Sequence, residues 1–184
     1  TSNVMPGSSI PMATLGVWIL WLGWFGFNGA SQLALGTYAD ADAVATIFAN
    51  TSMAAAGGVL APMIISRLMY GKTDIGATLN GAIAGLVSIT AEPLTPSIFQ
   101  AIIIGGIGGI ICMFGMKLLD KLKIDDVVGA ISVHGIAGIW GTIAVVFSGV
   151  SNIGDQLIGT ISICLFVFLL SLVIWYILDA LIGI

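Results

Sequence analysis

Six continuous apolar runs, each near the length that crosses a lipid bilayer as a helix, constrain this chain more than any other feature. A helix rises about 1.5 Å per residue, so about 20 apolar residues traverse the hydrocarbon core. The runs extend approximately over 12–34, 43–69, 76–91, 97–119, 127–149 and 156–181. The third is short and carries Asn80. Pro93 and Pro96 mark the turn after it, because proline lacks an amide donor and disfavours helix in its predecessor. Strands do not fit, since a membrane barrel alternates apolar and polar residues over segments of about ten. Hydrophobic residues make up 58% of the chain and charged ones only 8%, against about 25% charged in soluble domains. The expected fold class is an all-α integral membrane protein of six transmembrane helices.

Charge orients the spans. Arg67 and Lys72 bracket the second connection and Lys117, Lys121 and Lys123 the fourth, whereas the first, third and fifth carry only Asp40, Asp42, Glu92 and Asp155. By the positive-inside rule the basic side is cytoplasmic, which puts both ends of the chain on the cytoplasmic side of a plasma or bacterial inner membrane. No basic stripe exists to hold nucleic acid. Cys112 and Cys164 are single residues in apolar segments, so they read as packing residues rather than a disulfide or metal framework. No GxSxG, no HExxH and no second histidine point to an enzyme, and nothing calls for a metal or cofactor.

His134, the only histidine, lies within the fifth run. An ionisable group at bilayer depth is costly and marks a functional site by default. Imidazole also exchanges a proton near neutrality. The competing reading is a histidine that hydrogen-bonds a neighbouring helix. Ala130, Gly138 and Gly141 fall at i−4, i+4 and i+7 from it, a smooth stripe that suits either a narrow pore or close helix packing. Gly81 and Gly85, Gly105 and Gly109, and the AAAGG from Ala54 to Gly58 form small-xxx-small surfaces that predict a compact bundle.

The first run contains WILWLGWFGFNGAS. At 100° per residue Trp24, Phe27, Asn28 and Ser31 share one face, while Trp18, Trp21 and Phe25 share another that suits lipid or interface contact. The first face combines rings with an amide and a hydroxyl, groups that attract a small cation. Plain aromatic packing is the other use of such a face.

WLGWFGFNGAS, ANTSMAAAGG, GAIAGLVSIT and IDDVVGAISVHGIAGIWG, in this order and spacing, closely resemble the ammonium transporter (Amt/MEP/Rh) family over essentially the whole chain. Family members have eleven transmembrane helices, in two inverted five-helix repeats plus a last helix. By that resemblance residues 1–184 form a partial ammonium transporter domain, the carboxy-terminal half with helices six to eleven, and the chain is expected to be a fragment inactive alone. The resemblance implies recruitment of ammonium at an outer vestibule, deprotonation, and passage through an apolar pore lined by two histidines. His134 resembles the second of the pair and Trp24 a pore-lining ring beside it. Phe27 resembles a gating phenylalanine, Ser31 the hydroxyl of the outer cation site, and Thr90 a residue near the outer mouth. The partner histidine belongs to the other half. Ammonium and potassium are alike in size and charge, so selectivity would come from losing the proton, since neutral ammonia enters a dry pore that excludes the ion.

Asp125 and Asp126 resemble a carboxylate pair at the start of the family's tenth helix, and aspartates there also suit helix capping. Gly129 stands where some relatives carry a further aspartate, which weakens an acidic relay. The family further implies a homotrimer with one pore per subunit, ammonium, ammonia or methylammonium as the transported species, and a cytoplasmic regulator of the PII type. The alternative is an ammonium-sensing membrane module on the same fold with little flux.

Overall fold

Backbone amides at bilayer depth find partners only within a helix, so polar residues flanking the apolar runs set where each helix begins. The computed structural model describes residues 8–126 and 128–183, and over them the chain is helices and short connections with no strand. Helix α1 (Ile10–Ala30) starts at Ser9, whose side chain accepts from the Met12 amide, with Pro11 in the first turn. Helix α2 (Tyr38–Tyr70) opens on a reciprocal capping box between Thr37 and Asp40 and closes on Gly71 at φ 72°. Asp74 caps α3 (Ile75–Thr90) through the Ala77 amide. Ser97 and Gln100 form a second capping box at α4 (Ile98–Leu122). After a break come a π-helical turn (Ile131–Ile136), α5 (Ala137–Ala144) and a 3-10 turn (Val145–Ser148). Asn152 caps α6 (Ile153–Ile182).

All six expected spans are helical, with boundaries moved by these caps. The first span ends at Ala30 rather than Ala34, because the chain turns at Ser31. The second begins at Tyr38 rather than Ala43, because the Thr37–Asp40 box extends the helix into the polar connection. The fifth differs most. Its expected start, Val127, lies outside the described residues, and the helix begins only beyond Gly129, whose φ of 74° is a left-handed conformation that interrupts it. Thr1 and Ile184, on which the placement of both chain ends bears, also lie outside the described residues. Among the described residues, five segments are long and apolar enough to cross a membrane. The sixteen-residue α3 rises only about 24 Å.

That shorter helix is the most enclosed one. Ala82, Ala84, Leu86, Ser88 and Ile89 of α3 are buried between α1, α2, α4 and α5. The small residues make this possible. A Cβ at Gly85 or at Gly105 would collide with the Ala54 carbonyl, one at Gly58 with the Gly81 carbonyl, and one at Gly109 with Gly58. Helices α2, α3 and α4 therefore touch backbone to backbone, as the small-xxx-small pattern predicts. Ala82, Ile83, Cys112, Val133 and Ala137 form the core between α3, α4 and the fifth segment, with Val17 of α1 against them. Helix α6 differs from the rest: none of its residues is buried, and among the described elements it touches only α5 and the 3-10 turn. Cys112 packs in the core as expected, but Cys164, on α6, is exposed.

The carboxy-terminal turns of α2 and α4 meet at one end of the bundle. The Lys117 ammonium donates to the Tyr70 hydroxyl and lies 3.9 Å from the centre of its ring. Arg67, Lys121 and Lys123 belong to the same two helix ends, and Lys72 to the connection between α2 and α3.

Candidate functional site

Three segments bring their aromatic and polar groups together around Trp24. From α1, the Trp24 indole Nε1 donates to the Thr90 hydroxyl on the last turn of α3, at 2.7 Å. That hydroxyl in turn donates to the Leu86 carbonyl at 2.7 Å, so its own proton is already used within the helix. Fixed in this way, the indole lies parallel to the His134 imidazole, with ring centres 6.4 Å apart and planes 8° from parallel. On its other side it meets the edge of Phe27, with centres 5.7 Å apart at 79°. Trp24 and Thr90 are half-buried, while Phe27 and His134 are exposed.

Ser31, one turn beyond Phe27, caps α1 and donates to the Phe27 carbonyl at 2.8 Å. Its oxygen keeps acceptor capacity beside the exposed ring. The sequence of groups is thus Ser31, Phe27, Trp24 and His134. Chemically it offers a hydroxyl acceptor and π faces for a small cation, then an imidazole lying along the Trp24 indole.

Asn28 does not belong to that strip. It is 1% exposed, and its amide donates to the Thr51 hydroxyl of α2 at 2.9 Å. The helical-wheel face of Trp24, Phe27, Asn28 and Ser31 therefore divides, because a face 100° wide borders two neighbours here: α2 takes the amide and the open side takes the ring. The opposite face also needs correction. Trp18 is 65% exposed, as lipid contact requires. Trp21, however, packs against the core, and Phe25 against Phe48 of α2 at 5.2 Å between ring centres.

A π-helical turn separates the members of the stripe near His134, of which Ala130 is exposed and Gly141 buried. It holds more residues per turn than an α-helix, so an α-helical count drifts out of phase across it. Gly141, placed by that count on the histidine's face, is buried against the Ser88 backbone, where a Cβ would collide. Gly138 is in ordinary contact range of Val87. Both serve close packing of the fifth segment on α3, while His134 points to the open side.

The two aspartates do different things. The Asp126 carboxylate accepts from the Ile131 amide at 3.1 Å, the Ser132 amide at 3.2 Å and the Ser132 hydroxyl at 3.4 Å. It reaches over the Gly129 turn to the first amides of the π-turn. Asp125 is exposed and has no hydrogen bond among the described residues. Asn80 of α3 lies against Gly129 and donates weakly to the Met116 sulfur at 3.7 Å.

Asn50 and Thr51 escape sequence reasoning, in which they figure only within ANTSMAAAGG, one of the runs that carry the family resemblance. Asn50 is 1% exposed. Its amide donates to the Pro93 carbonyl at 3.0 Å and the Pro96 carbonyl at 2.7 Å, tying down the α3–α4 connection. The signal that could have found them is two adjacent polar residues inside an apolar span, which are retained only for a partner.

The Ammonium Transporter Family model matches residues 1–184. The chain is 46% identical over 142 residues to the ammonium transporter Amt2 of Archaeoglobus fulgidus, covering 77% of this chain and 30% of that protein. Among solved structures, a sensor Amt protein superposes with a TM-score of 0.92 at 31% identity, over 100% of this chain and 47% of that one. Mep2 of Candida albicans gives a TM-score of 0.82 at 28% identity, over 95% of this chain and 42% of that one. The chain spans less than half the length of each of these proteins.

Proposed function

Because the chain belongs to the ammonium transporter family, a family of transporters rather than enzymes, we propose that it forms the carboxy-terminal half, helices six to eleven, of a protein that moves ammonium or ammonia across a cell membrane. The observation that carries this reading is the parallel placement of Trp24 and His134, locked by the Trp24–Thr90 hydrogen bond. Ser31 and Phe27 receive ammonium at the outer mouth, the hydroxyl accepting an N–H and the ring facing the charge. Ammonium then gives a proton to the imidazole of His134, which becomes imidazolium and leaves neutral ammonia, because the ion cannot pay for desolvation between apolar walls and neutral ammonia can. His134 accepts and returns hydrogen bonds along the way, paired with a second histidine from the other half of the parent protein. Trp24 forms the wall opposite the imidazole.

In this reading Asp126 holds the π-turn that presents His134, and Thr90 acts through Trp24 rather than on the substrate. The end that carries Lys117 and Tyr70 is the cytoplasmic one, which puts Ser31, Thr90 and Glu92 outside. The parent protein is a homotrimer, with a PII-type regulator as a partner on the cytoplasmic side. The test is His134→Ala in the full-length protein in liposomes, reading ammonium-driven current with potassium as competitor. Loss of flux or of discrimination against potassium supports the pore role. Unchanged flux and selectivity would reduce His134 to packing.

The TM-score of 0.92 to a sensor Amt protein over the whole chain favours one second reading, an ammonium sensor on the same scaffold. Calorimetric ammonium binding without liposome flux would select it.

A further inference from the structure

We propose that Asn50 and Thr51, consecutive residues of α2, are positioning residues that hold the Trp24–Thr90 contact in register. The contact joins Trp24 on α1, most of whose residues are exposed, to Thr90 on the last turn of α3, next to a proline-rich connection. One turn of α2 grips both sides of it. Thr51, with no exposed surface, accepts from Asn28, one helical turn beyond Trp24 on α1. Asn50 donates both amide protons to the Pro93 and Pro96 carbonyls, the first of them three residues after Thr90. Glu92 stiffens the same connection by accepting from the Leu94 and Thr95 amides and the Thr95 hydroxyl.

Close packing reinforces the grip. A Cβ at Gly29 would collide with the Phe48 ring, so α1 lies against α2 beside the Asn28–Thr51 bond. Asn50 serves here as a donor, since both bonds use its Nδ2 while its Oδ1 is buried without a partner among the described residues. A residue there for general polarity would place its acceptor as well. The two side chains leave a rigid helix about 100° apart, one toward α1 and one toward the connection, so the indole and its acceptor are referred to the same backbone turn.

The flux part of the test rests on the proposed transport role, and the spectroscopic part does not. Full-length protein is labelled with 5-fluorotryptophan, and the Trp24 fluorine resonance is assigned by its loss in Trp24→Phe. Thr51→Val, which keeps the shape and removes the acceptor, is expected to shift or broaden that resonance. It should also raise the methylammonium concentration for half-maximal flux about fivefold while maximal flux changes less. Thr51→Ser should restore both. Asn50→Gln, which keeps the donor but displaces it by a methylene, should move the resonance too, and decides the matter if Thr51→Val does not assemble. A Trp24 resonance unmoved in assembled Thr51→Val or Asn50→Gln overturns the inference. Absence of methylammonium flux in the wild type would instead count against the transport role, leaving the resonance to judge the two residues.

Discussion

The imidazole of His134 lies parallel to the indole of Trp24, ring centres 6.4 Å apart and planes within 8°. Neither ring is held by the other. The indole is fixed from α3 through Thr90, and the imidazole is carried by a π-helical turn capped by Asp126. Their alignment is therefore a property of the bundle, and distant residues can disturb it.

Thr90→Val should separate the two rings without altering the shape of the α3 terminus. The buried side of the indole loses its acceptor, a loss of about 1–2 kcal/mol of stability. Thermal unfolding in detergent should show the drop and Thr90→Ser should recover it. Ammonium flux in liposomes should fall in the valine variant and return in the serine one.

Asp126→Ala should destabilise the protein by about 1–2 kcal/mol, since two amides at the head of the π-turn lose their acceptor. Asp125→Ala should change stability by less than about 0.5 kcal/mol, as for other exposed sites without partners. Parallel melting curves of the two variants make the comparison. Equal effects would refute the division of labour between them.

Gly105→Ala should be poorly tolerated and its neighbour Gly106→Ala accepted. A methyl at 105 enters the Ala54 backbone, which cannot move aside, whereas one at 106 meets Gly57 and Ala61 at 3.6 and 3.7 Å. Overpacking of the first kind costs about 1–3 kcal/mol. Yield of folded protein by fluorescence-detected size exclusion separates the two.

Gly129→Ala should weaken the protein through its backbone. A φ of 74° costs an alanine about 1–2 kcal/mol, and its methyl would sit 3.2 Å from the Asn80 amide nitrogen. Gly129→Asn should be milder, because asparagine adopts this conformation more readily. Melting temperatures falling in the order glycine, asparagine, alanine are the expected result.

The helices are legible in the sequence because apolar length and small-residue spacing are local properties, and Gly58, Gly81, Gly85, Gly105 and Gly109 meet as their spacing implies. The strip of Trp24, Phe27 and Ser31 is legible for the same reason: all three lie on one regular helix or its cap. What the sequence hides depends on phase and on neighbours. No local signal announces the π-turn at Ile131–Ile136, so an α-helical count carries Gly141 onto the wrong side. Asn28 shares a wheel face with Phe27, and only the position of α2 tells that the amide goes to Thr51. The split between Asp125 and Asp126 follows from the left-handed Gly129, which one-dimensional capping rules do not foresee.

Gly85 from α3 and Gly105 from α4 press on the same carbonyl, that of Ala54. Sequence drift at any of these three positions is therefore answerable to the other two. A bulkier residue at 85 or 105 demands that α2 withdraw, which opens a gap on its opposite side. Ala54, Gly85 and Gly105 behave as one heritable character: substitutions among them should be strongly epistatic.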